Sequence, residues 1–164
     1  LSFSVSITFE QSYGAVDGDS ASLAELVAIL SDISGVPVRQ DLAITGSVNQ
    51  HGDAQAIGGA HHKIEGFFRS CKEAGTLDGT QGVAIPSANE KNLVLRGDVE
   101  AAARGGYFSV YSLKTIEDAV ELFLGMPAGA PDAAGQYPDD TVFGRVATKL
   151  AGYDQILMER EGAV

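Results

Sequence analysis

Over residues 2–9, Phe3, Val5, Ile7 and Phe9 alternate with Ser and Thr. A period of two puts one set of side chains on a single sheet face, so the pattern predicts a strand. A turn-like stretch with Gly14 and Gly18 follows. Leu23, Leu26, Val27 and Leu30 then recur at helical spacing, predicting a helix over residues 20–34 that Gly35 and Pro37 end. Residues 43–48 and 55–57 read as strands joined through residues 49–53, a hairpin. Gly58-Gly59 opens a second helix over residues 60–74, with Ile64, Phe67, Phe68 and Cys71 on one stripe. A short buried strand is expected over residues 82–85, ending at Pro86. A weak helix over 97–104, a strand over 107–111 and an amphipathic helix over 115–124 follow. Residues 126–137, rich in Pro, Ala and Gly, read as a loop, and residues 141–150 as one more short helix. The order β, α, β, β, α, β, α, β, α predicts an α/β (or α+β) fold with one sheet and helices packed on it.

At 164 residues the chain has the size of one domain, and 45% hydrophobic residues are enough for a core. Charge narrows the picture. Eleven basic against 22 acidic residues leave a net charge of −11. That balance argues against a nucleic-acid surface and against docking on an anionic membrane. No apolar run approaches the ~18 residues of a membrane span. The first nine residues lack the basic leader of a signal peptide. The absence of an initial Met suggests a piece of a longer protein. A single cysteine, Cys71, excludes an internal disulfide framework and fits the cytoplasm.

Two stretches carry candidate chemistry. In Asp17-Gly18-Asp19-Ser20-Ala21-Ser22 a glycine turn delivers a serine to a helix start. The first turn of a helix has unpaired N–H groups and the positive end of the dipole, which could hold an acyl-transfer oxyanion beside the hydroxyl. The plain alternative is that Asp19 or Ser20 is an N-cap. In Gly58-Gly59-Ala60-His61-His62-Lys63, the lysine stands four residues before Phe67, beside the apolar stripe. Lost solvation and the nearby helix N-terminus both disfavour a charged amine, leaving a candidate general base. The plain alternative is a surface lysine with a snorkelling stem. His51, His61 and His62 invite a zinc reading, but adjacent residues do not share a helix face and no acidic partner sits at ligand spacing. A Ser–His–Asp triad built on Ser20 with His61 or His62 is the sharper rival. Cys71 falls on the core stripe, where thiols are inert.

Taken together the two stretches resemble the proteolytic domain of the Lon proteases, which use a Ser–Lys dyad. Residues 17–22 are similar to the family's Asp-Gly-Pro-Ser-Ala-Gly motif, and residues 58–63 to its Gly-Gly-x-x-x-Lys motif, with a similar separation of 43 residues. Thr45-Gly46 resembles the family's Thr-Gly strand, and Ile85-Pro86 with Asn89-Glu90 its Ile-Pro-x-x-Asn-Glu segment. Residues 112–124 resemble its closing helix. The wording of residues 9–11 and 16–20 looks most like a bacterial, LonB-like branch. Asp19 stands where the motif has proline, Ser22 where it has glycine, and His61 and His62 where polar or acidic residues are frequent.

The resemblance implies a serine endopeptidase that degrades unfolded or misfolded proteins in protein quality control. Ser20 is the implied nucleophile and Lys63 the base. Thr45 directs the amine, Asp19 lies at the oxyanion site, and Asp17 shapes the turn. It divides the chain into a proteolytic domain over residues 1–125 and a linker with C-terminal extension of the same domain over 126–164. It further implies a cytoplasmic hexameric ring of like subunits and an AAA+ ATPase module elsewhere in the same polypeptide. No Gly-x-x-x-x-Gly-Lys-Ser/Thr loop occurs in this chain, so no cofactor is expected here, with ATP and Mg belonging to that outside module. No metal, nucleic-acid or membrane contact is expected of the domain. The rival implication is a catalytically silent or assembly-dependent ring-forming domain.

Overall fold

The computed structural model describes residues 4–8 and 18–161. The central element is β4 (Gly82–Pro86), buried at all five positions. It pairs in parallel with β1 (Leu42–Ile44) on one side and β5 (Ser109–Leu113) on the other. A fully buried strand needs apolar residues on both faces, which is why the run Gly-Val-Ala-Ile-Pro shows no alternation. Ala84 belongs to a core with Leu23 and Val27 of α1 (Ser22–Ser34) and Ala119, Val120 and Phe123 of α4 (Ile116–Leu124). Val83 and Ile85 belong to a second core with Ile64 and Phe68 of α2 (Ala60–Ala74), Val99 of α3 (Gly97–Arg104) and Phe108. Phe68 and Phe108 meet edge to face, with ring centroids 5.3 Å apart. The α/β class with helices on the sheet therefore holds, in three layers. A two-stranded antiparallel ladder of β2 (Ser47–Val48) and β3 (Ala54–Gln55) stands beside the main sheet.

Several boundaries differ from the sequence expectation, each for a local reason. The strand expected over residues 43–48 splits into β1 and β2 around Thr45-Gly46, where pairing passes from the sheet to the turn before α1. Thr45 N–H still donates to Ala84 O, at 3.1 Å, but Gly46 N–H donates to Ser20 O, at 2.9 Å. β5 starts at Ser109 rather than Tyr107, because Tyr107 N–H still closes the end of α3 on Ala102 O. Residues 87–92 form a 3₁₀ turn that the sequence pattern did not announce. Residues 4–8 carry no strand, and among the described residues nothing pairs with them. Val5 and Ile7 are exposed, so their alternation lacks the buried face that makes period two informative. The remainder of that expected strand, and most of the turn after it, lie outside the described residues.

After the expected loop, α5 (Val142–Glu161) runs well past residue 150. Its start is docked: Val142 is fully buried, and the N–H groups of Val142 and Phe143 donate to Pro127 O and Ala128 O. Gly144 lies against the Pro138–Asp139 backbone so closely that a Cβ there would fall 2.6 Å from the Pro138 carbonyl carbon. The later turns follow from strong helix formers such as Gln155, Leu157, Met158 and Glu159. Among the described residues no helix is long and apolar enough to cross a membrane.

Candidate active site

Ser20 sits on the turn that leads into α1. The helix begins at Ser22 with Ala21 at the N-cap and no side chain capping it. Neither Asp19 nor Ser20 is thus a plain capping residue, and the Ser20 hydroxyl is left for another partner. That partner is Lys63, in the first turn of α2: its Nζ donates to Ser20 Oγ at 2.8 Å and to Thr45 Oγ1 at 3.0 Å. Thr45 is 6% exposed, and its hydroxyl donates onward to Ser20 O at 3.2 Å. The turn before α1, the β1–β2 connection and α2 meet here in one closed ring of hydrogen bonds. An amine at this distance from a hydroxyl is within reach for proton transfer.

The backbone around Ser20 is divided in the same way. Its carbonyl accepts from Gly46 N–H and from Thr45. Among the described residues the N–H groups of Ser20 and Ala21 have no acceptor. They lie just ahead of α1, at its positive end, where donors suit a developing oxyanion. Gly46 permits the approach: a Cβ there would collide with the Leu23 side chain and lie 3.0 Å from Pro86 Cγ.

Lys63 differs from the sequence expectation in one respect. It is exposed rather than turned into the core, because Ile64 and Phe68 take the buried face of α2 and leave Lys63 at its edge. Phe67 is only half-buried, while Cys71 lies in the core as expected. His61 and His62 are exposed and stack on each other, ring centroids 3.9 Å apart. Among the described residues neither hydrogen-bonds to Ser20, and no three of His, Cys, Asp and Glu converge as a metal site. Asp17 lies outside the described residues.

The structure adds roles that spacing alone did not assign. Asn89 clamps the backbone of Ile57 from both sides, accepting from its N–H at 3.1 Å and donating to its carbonyl at 2.8 Å. Ile57 immediately precedes Gly58-Gly59, and Gly59 takes φ 66°, the left-handed conformation that launches α2. The clamp thereby fixes the entry to the helix that carries Lys63. Glu90 takes a hydrogen bond from Ser112 of β5. Asn89→Ala leaves both Ile57 groups without this partner and is expected to cost about 1–3 kcal/mol of stability. Denaturant unfolding measures that cost.

Residues 4–125 match the family model of the Lon protease C-terminal proteolytic domain. The chain belongs to this family. This Lon-type domain is 49% identical over 126 residues to a putative Lon protease homolog of Escherichia coli and 46% identical over 125 residues to one of Haemophilus influenzae. Those stretches cover 77% and 76% of this chain and 21% of each relative. An archaeal Lon protease of Thermococcus kodakarensis is 34% identical over 122 residues, which is 74% of this chain and 17% of that protein. The chain thus spans about a fifth of the length of these relatives. The family match ends at residue 125, where α4 closes, so the docked loop and α5 lie beyond it.

Proposed function

We propose that this Lon-type domain is a serine endopeptidase working through a Ser20–Lys63 dyad on unfolded polypeptide. The observation that carries the reading is the 2.8 Å contact between Lys63 Nζ and Ser20 Oγ. Lys63 enters the cycle as the neutral amine and takes the Ser20 hydroxyl proton as Oγ bonds to the peptide carbonyl carbon. The N–H groups of Ser20 and Ala21 stabilise the oxyanion, and Asp19 and Asp17 shape the turn that presents them. Lys63, now an ammonium, returns the proton to the leaving amine as the C–N bond breaks. Water then attacks the ester carbon, Lys63 again taking its proton, and as the ester C–O bond breaks Lys63 returns that proton to Ser20 Oγ, freeing the acid product. Thr45 keeps the amine aimed throughout.

The same reading makes the domain part of a longer cytoplasmic protein, with an ATPase module in cis supplying ATP-driven unfolding and six copies closing a ring. The solvent-exposed Lys63 favours an assembly-dependent version of this reading, in which a neighbouring copy covers the site. A fluorophosphonate probe tests the chemistry, because it forms a phosphoester only with an activated serine. Mass spectrometry should find the adduct on Ser20. An adduct elsewhere, or none under conditions where the protein cleaves casein, would remove the dyad reading.

A further inference from the structure

The four residues Thr45, Gly46, Ser47 and Val48 each hydrogen-bond to the stretch from Asp19 to Leu23. Two of the bonds are backbone to backbone: Gly46 N–H to Ser20 O at 2.9 Å and Leu23 N–H to Gly46 O at 3.2 Å. Three use a side chain. Thr45 Oγ1 donates to Ser20 O, Val48 N–H donates to Ser22 Oγ at 3.0 Å, and Ser47 Oγ donates to Asp19 Oδ2 at 2.7 Å. The last is the strongest of the set by chemistry, a short bond to a carboxylate from a hydroxyl that is 4% exposed. Gln55 Oε1 is the other acceptor near that hydroxyl, but at 3.5 Å it is the poorer one.

The position of the bond matters more than its strength. Asp19 is held at two points, its carbonyl by Ser22 N–H at 3.0 Å and its carboxylate by Ser47. Ser20 is held by its carbonyl. The peptide between them carries the Ser20 N–H that has no acceptor among the described residues. Anchoring the groups on either side fixes where that N–H points. Proline at position 19 would restrict φ through its ring. An aspartate has no such restriction and needs an external tether.

We propose that Ser47 is a positioning residue for the nucleophile turn, holding Asp19 so that Ser20 N–H faces the oxyanion. The inference rests on the Ser20–Lys63 reading. Its test is steady-state hydrolysis of an unfolded-protein substrate by the whole chain, with kcat normalised to sites titrated by the fluorophosphonate. Normalisation separates misaligned sites from unfolded ones. Ser47→Ala should lower kcat per titrated site about 10-fold with little change in KM, the scale on which small misplacements act. Ser47→Thr, which keeps the hydroxyl, should restore it. Asp19→Ala should match Ser47→Ala, and the double variant should be no slower than either single one, since both remove the same bond. Unchanged kcat per site in Ser47→Ala beside an inactive Ser20→Ala would overturn the inference alone. Full activity in Ser20→Ala would overturn the nucleophile assignment and the inference with it. Effects of Ser47→Ala and Asp19→Ala that multiply in the double variant would also refute it.

Discussion

Ser20→Ala is expected to lower hydrolysis of casein by at least about 10³-fold while leaving the protein folded, as loss of a nucleophile does in other serine hydrolases. The two halves of this expectation rest on different atoms. Chemistry needs Oγ, the atom 2.8 Å from Lys63 Nζ. The fold uses the Ser20 carbonyl, which takes the Gly46 and Thr45 hydrogen bonds, and alanine keeps that carbonyl. The turn geometry therefore survives the substitution, and the melting temperature should move by no more than a few degrees. The loss should appear in kcat, with substrate affinity retained, because no contact that holds the polypeptide is removed. Casein hydrolysis within a few-fold of wild type would show that the cleavage has another origin. A large drop in melting temperature would show instead that the hydroxyl is structural, contrary to the free role its exclusion from the N-cap gives it.

How much of this was legible in the residues depends on range. The helix with a strong stripe was readable: α2 falls on the expected residues because Gly59 and Gly75 bracket it and its apolar spacing is regular. The central strand was readable for the same local reason, a short apolar run stopped by Pro86. Local pattern also pointed to Ser20 and Lys63, since a serine at a helix start and a lysine in a helix's first turn are local features, whereas Thr45 came only from the resemblance to the Lon family. The meeting of Thr45 with Ser20 is not local. It requires the strand to break at Gly46 and hand its hydrogen bonds to a turn 26 residues earlier, and nothing in the run Ala-Ile-Thr-Gly-Ser-Val distinguishes that from a continuous strand. Ser47 is invisible for the same reason, because its partner Asp19 is 28 residues away. Lys63 was legible as a residue and illegible as an environment: periodicity placed it beside the stripe, but a single position of helical rotation decides between buried and exposed. Over the described residues 4–8 the alternation forms no strand, because period two reports a strand only where one face is covered.

Replacing Lys63 decides whether the amine acts as a base or only as a charge. Lys63→Ala should lower kcat by about 10²–10⁴-fold, the usual contribution of a general base. Lys63→Arg should be equally impaired, since a guanidinium keeps the positive charge and a long stem but never presents a lone pair near neutral pH. His61→Ala/His62→Ala should stay close to wild type, because the stacked, exposed pair makes no hydrogen bond to Ser20 among the described residues. Thr45→Val should lower kcat without abolishing it, because it removes the hydroxyl that the amine reaches at 3.0 Å without removing the base. Activity in Lys63→Arg would reduce the lysine to an electrostatic role. Activity lost with the histidines and kept in Lys63→Ala would put a triad in place of the dyad, and would require His61 or His62 to leave the stack and turn toward Ser20.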